Sequence, residues 1–326
     1  MSRDVPKSGF FLLVIITLLL LSPGPLFSGA EDQSMTGGRR LGVFVSILPQ
    51  VYLVERIGGE RIQVEVMVKP GQSPHTFEPT PKQMARLAEA EVYFRIGVEF
   101  ENALMPRIES TMRELEVVDC RKGIRLRHME APLNGAHRDE GEARVEENEE
   151  QYREHSGETH HHEQGGTDPH IWLSLRNAVQ IAGTMHETLV RLDPEGRATY
   201  DRGYRGLVED LETLDLRIKE ILAPVRGEPL FVFHPAFGYF ADDYNLKQIA
   251  IETGGSEPSA RQLTHLIEEA KEKGARVIFV QPQFSRYHAE AIADEIGGTV
   301  VPIDPLARDY LENFERMART VKEALL

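Results

Sequence analysis

The chain has 326 residues, of which 41% are hydrophobic, enough for two domains of ordinary size with their own cores. A formal net charge of −15 excludes a general nucleic-acid binder, because little here would neutralise a phosphate backbone. The one cysteine, Cys120, cannot form an internal disulfide and reads as a small buried apolar residue.

Residues 1–30 read as an export signal. Arg3 and Lys7 precede an apolar run from Phe10 to Leu21, Pro23, Gly24 and Pro25 break it, and Ser28, Gly29 and Ala30 supply a cleavage site. The run is short for a membrane span, so a periplasmic or extracytoplasmic protein is expected, with an uncleaved N-terminal anchor as the alternative. No cysteine stands close behind the run to carry a lipid, so no lipobox is expected.

From Leu41 strands and helices alternate. LGVFVSIL reads as a strand, PQVYLVERIG as a helix and IQVEVMV as a second strand. KPGQSPHTFEPT, residues 69–80, follows as a loop punctuated by Gly71, Pro74 and Pro79, with His75 at its middle. A helix from Pro81 to about Ala90, a strand VYFRI, a helix around ENALMPRIES and a strand LEVVD complete a first lobe of parallel-sheet type.

Between about 129 and 166 the chain turns rich in Glu, His and Gly and nearly loses its apolar residues, which predicts a mobile insertion. His155, His160, His161 and His162, with His137 upstream, suggest weak multi-site metal capture, against the alternative of a solvated acidic loop. DPHIWLS follows, with Ser174 able to cap the helix LRNAVQIAGTMHETLVRL. His186 lies near the buried stripe of that helix and reads as structural. After Asp193 and Pro194 a long helical pattern runs to about Leu222, long enough to join two lobes.

The second lobe repeats the logic. PLFVF ends on His234, HPAFGYFADDY begins a helix, and LKQIAI is a strand. Ser259 to Lys273 is a helix, VIFV a strand, Arg286 to Ile296 a helix, TVVPI a strand ending on Asp304, and a closing helix starts at Tyr310. The domains are expected as 1–30 signal, 31–193 N-terminal α/β lobe with the 129–166 insertion, 194–224 linking helix and 225–326 C-terminal α/β lobe. The fold class is α/β: two mainly parallel sheets flanked by helices, joined by one rigid helix, with a crevice between them. His75, His170, His234 and Asp304, each at a strand end or loop, make a donor set for a tetrahedral Zn²⁺ site, or else are four unrelated loop residues.

Four stretches in this order, GQSPHTFEP, DPHIWL, FHPAFGYFADDY and IDPLA, resemble the ligand motifs of the zinc- and manganese-type solute-binding proteins of ABC importers, the zinc-uptake subfamily most closely. EPSARQLTHLIEEAKEKGARVIFVQPQFS is also similar to the second-lobe unit of that family. The resemblance implies metal binding by His75, His170 and His234 with Asp304 in or near the fourth position, Zn²⁺ as the transported ligand, and an ABC permease with its ATPase as partners. A monomer and no catalysis are expected. His234 favours zinc, since manganese-type relatives tend to carry a carboxylate at the third motif. The rivals are a manganese-binding protein of the same class, an adhesin or periplasmic zinc buffer on the same scaffold and, from another class, a zinc-dependent hydrolase, for which no HExxH is present.

Overall fold

A computed structural model describes residues 40–129, 166–251 and 260–326. The expected signal and the histidines at 137, 155 and 160–162 lie outside the described residues.

The first sheet is built from β1 (Leu41–Val45), β2 (Ile62–Val66), β3 (Val92–Arg95) and β4 (Glu116–Asp119), with α1 (Leu48–Gly58), α2 (Pro81–Leu87) and α3 (Glu99–Thr111) between them. Its order is β2-β1-β3-β4 and every pairing is parallel. The second sheet uses β5 (Pro229–Val232), β6 (Lys247–Ala250), β7 (Val277–Val280) and β8 (Thr299–Pro302), with α6 (Gly238–Tyr244), α7 (Ala260–Glu272) and α8 (Arg286–Ile296). Its order, β6-β5-β7-β8, repeats the first, again all parallel. Such a sheet reverses direction beside its first strand, and the crevice at the strands' C-terminal ends is where a ligand fits.

α4 (Leu175–Leu192), α5 (Arg197–Leu222) and α9 (Tyr310–Leu325) tie the lobes together. At 26 residues α5 spans about 39 Å at 1.5 Å per residue. Its buried stripe, Leu207, Leu211, Leu214, Ile218 and Leu222, recurs at spacings of three and four and enters one apolar core that includes β1, β3, α4, β5 and α9. Gly203 lets α5 cross α1 closely, for a Cβ there would stand 2.4 Å from the Arg56 carbonyl oxygen. His186 is structural, bonding Asp201 on α5 at 2.7 Å and stacking on Tyr204. Cys120 is fully buried, and burial pushes its thiol pKa far up.

Several boundaries differ from expectation: β1 stops at Val45, three residues before the expected strand end, α2 stops at Leu87 rather than about Ala90, and two more lie beside the crevice. α6 begins at Gly238 rather than His234, because the Phe237 N–H just before it donates to Gln248 Oε1 of β6. β8 ends at Pro302, with one further bond from Ile303 N to the Val280 carbonyl at 2.9 Å, and Asp304 sits two residues beyond the strand.

Candidate metal centre

The loop carrying His75 is fixed at both ends. Lys69 N donates to Gln72 Oε1 at 2.9 Å. At the other end Thr80 and Gln83 form a capping box, in which Thr80 Oγ1 accepts from Gln83 N and Gln83 Oε1 accepts from Thr80 N. Phe77 is held against Phe100 of α3 at 4.9 Å between ring centroids. Pro74 and His75 are thereby directed into the crevice.

His170 precedes a 3-10 turn, Ile171–Leu173, that leads into the Ser174 cap of α4. Trp172 anchors this loop across the crevice, donating from Nε1 to the Pro305 carbonyl at 2.8 Å, while Tyr310 Oη donates to the Trp172 carbonyl. His234 comes two residues after the end of β5. Its backbone is clamped to the loop after β7, with His234 N donating to Gln281 Oε1 and Gln281 Nε2 donating to the His234 carbonyl at 2.8 Å. Phe284 stacks on the His234 ring at 4.8 Å.

These three loops bring His75, His170 and His234 together. One nitrogen from each lies within 4.8 Å of the others, the one such cluster of His, Cys, Asp or Glu among the described residues. His170 Nε2 and His234 Nε2 are 3.3 Å apart. Two ligands about 2.05 Å from a tetrahedral Zn²⁺ stand about 3.3 Å from each other, so this pair already has the spacing of zinc ligands. The His75 ring lies edge-on to His234 at 4.4 Å between centroids. Ser73, Val98, Trp172, Ala236, Phe284 and Leu306 are among the residues that complete the lining.

Electrostatics keep the imidazoles ready to donate lone pairs. Asp168 Oδ1 meets His170 Nδ1 at 2.8 Å, and Glu99 Oε2 meets His75 Nδ1 at 3.0 Å. A carboxylate only accepts, so each Nδ1 carries a proton, which leaves Nε2 of each ring as the nitrogen that can offer a lone pair to an ion. Burial, then the neighbouring His170 and His75, holds the His234 pKa well below the usual histidine value. All three rings can therefore present neutral nitrogen donors.

Asp168 is itself buried and held. Its Oδ2 accepts from Arg127 Nη1 at 3.1 Å, and Arg127 Nε pairs with Asp242 Oδ2 of α6 at 3.1 Å. Tyr239 Oη receives the Arg127 N–H and donates to the Asp168 carbonyl. Arg127 thus joins the second ligand loop to the helix that follows the third. Gly238 makes the room, since a Cβ there would lie 1.2 Å from Arg127 Nη1.

Asp304 is not in the three-histidine cluster. Its Oδ1 accepts from Gln283 Nε2 at 3.1 Å and from Leu306 N at 2.9 Å, and its carbonyl accepts from Asn313 Nδ2. Sequence reasoning missed Glu99, Asp168, Arg127, Gln281 and Gln283. The signal for Asp168 was the D-x-H spacing in DPH, which turns a carboxylate back onto its own loop. Glu99 and Arg127 carried no local signal, because their partners are supplied from other loops.

A family profile described as "Zinc-uptake complex component A periplasmic" (ZnuA) matches residues 43–324. The chain is 27% identical over 320 residues to the zinc-binding lipoprotein AdcA of Streptococcus pneumoniae strain R6, an alignment covering 94% of this chain and 60% of that protein. It is likewise 27% identical over 303 residues to the high-affinity zinc uptake system protein ZnuA of Bacillus subtilis, covering 92% of this chain and 88% of that one. A solved structure of a 138–173 deletion mutant of a ZnuA with zinc bound superposes with a TM-score of 0.73 at 35% identity, covering 88% of this chain and 98% of the other. The chain therefore spans 60% of the length of the streptococcal relative.

Proposed function

We propose that this chain, which belongs to the ZnuA family of periplasmic zinc-uptake components, captures one Zn²⁺ ion outside the cytoplasm and passes it to an ABC permease driven by its ATPase. His75, His170 and His234 are the ligands in this reading. The observation that carries it is the convergence of their three nitrogens in a buried crevice, with a 3.3 Å spacing between two of them. The printed functions of the relatives, zinc binding and zinc uptake, agree with it.

Three imidazoles suit zinc better than manganese, which favours oxygen donors. The shared core and the 26-residue α5 between the lobes support small motions on binding over a wide hinge closure. Capture and delivery, with no catalysis, is the role we assign, and the protein works as a monomer. An exported chain fits that role, and among the described residues no helix is long and apolar enough to cross a membrane.

Competitive titration of Zn²⁺ against Mn²⁺, with wild type beside His234→Ala, tests the proposal. The expected result is one tight Zn²⁺ per chain, much weaker Mn²⁺, and loss of the tight site in the variant. Preference for Mn²⁺, a variant that binds zinc as wild type does, or zinc-dependent turnover of a generic ester would overturn it.

A further inference from the structure

Gln283 carries a buried amide oxygen that finds no hydrogen-bond partner. The side chain lines the same crevice as the three imidazoles. Its orientation is set by its other end, for Gln283 Nε2 donates to Asp304 Oδ1 at 3.1 Å. Turning the amide over would put two acceptor oxygens face to face, so Oε1 must remain on the side away from Asp304. Asp304 in turn is held by Leu306 N and by Asn313. This is a fixed acceptor with nothing to accept, and native proteins leave few of those.

The fold explains how it comes to line the histidine crevice. His234 follows β5 and Gln283 follows β7, the two central neighbours of the second sheet. Gln281 bonds both ways to the His234 backbone, which locks the two loops in register. Three histidines leave one position of a tetrahedral zinc open, and in three-ligand sites a water fills it. A water on a dication is a strong donor and needs an acceptor.

We infer that Gln283 is a positioning residue for the bound ion: its Oε1 accepts the hydrogen bond of a water in the fourth position, and Asp304 acts only by orienting Gln283. The inference rests on the zinc-capture reading above and goes beyond it, because it assigns the fourth position to a water held by an amide.

The test is a chelator-competition zinc titration of wild type, Gln283→Leu, Asp304→Ala and the double variant, with the visible spectrum of each Co²⁺ form and the melting temperature of each metal-free form. Gln283→Leu should weaken zinc binding about tenfold, the scale of lost outer partners. Asp304→Ala should cost nearly as much alone and almost nothing further in the Gln283→Leu background. The Co²⁺ bands should shift in Gln283→Leu, while the metal-free melting temperature does not fall, since leucine removes an unsatisfied acceptor. The inference is overturned if Gln283→Leu binds zinc within about twofold of wild type, against the tenfold expected. It is also overturned if Asp304→Ala costs the same in both backgrounds, which would make Asp304 a ligand in its own right. Wild type failing to bind zinc would instead remove the capture reading, and this inference with it, before any Gln283 variant is compared.

Discussion

Gly238→Ala should destabilise the protein, although alanine is the better helix former. Gly238 opens α6 without a positive φ, so its backbone would accept alanine and gain up to about 1 kcal/mol from propensity. The new Cβ, however, would stand 1.2 Å from Arg127 Nη1 and 2.9 Å from Asp168 Oδ2. Arg127 has to leave, and the buried Asp168 carboxylate loses its cation while keeping His170 as a partner. Removing one member of a buried ion pair costs about 3–5 kcal/mol. The low end applies, because the Arg127 side chain keeps 17% of its exposure and finds water when displaced. The net is a loss of about 2 kcal/mol. Urea denaturation of the metal-free proteins reads this directly, with Arg127→Gln as companion. A Gly238→Ala protein as stable as wild type, or more so, would refute the reasoning that Gly238 exists to admit Arg127.

Asp168→Asn keeps the shape of the side chain but removes the charge that orients His170, and zinc affinity should fall about ten- to a hundredfold by chelator competition. Metal-free stability should also depend on pH through His234. Its folded-state pKa lies below its unfolded value near 6.5, so between the two the unfolded chain binds the extra proton and stability rises with pH. The stabilisation is full above about pH 6.5 and is lost as pH falls toward the folded value. Denaturant midpoints measured across pH 5–7 should show that slope in wild type and a flatter one in His234→Gln; identical slopes would mean that His234 is not held neutral by its surroundings.

Much of the architecture was legible because α/β elements announce themselves locally. The apolar run VIFV, the Ser174 cap and the three- and four-residue spacing of Leu207, Leu211, Leu214 and Ile218 are each short-range signals, and each formed the element expected. The three histidines were also readable, because each interrupts a loop bounded by proline, glycine or a strand end. The start of α6 was not legible because it is set by a bond from Phe237 N to Gln248 of β6, a partner outside the local pattern.

Local pattern alone thus specified two repeated parallel lobes, the helix between them and the three histidines that the fold brings together. It could not determine how those residues are supported, because the supporting partners lie far off in the chain: Asp168 to Arg127 spans 41 positions and His234 to Gln281 spans 47. Only the tertiary structure brought Glu99 to His75, threaded Arg127 past Gly238, and put Asp304 behind Gln283. The physical reason is that a hydrogen bond depends on a few tenths of an ångström and on direction. Those are fixed only when the packed core holds the loop ends in register.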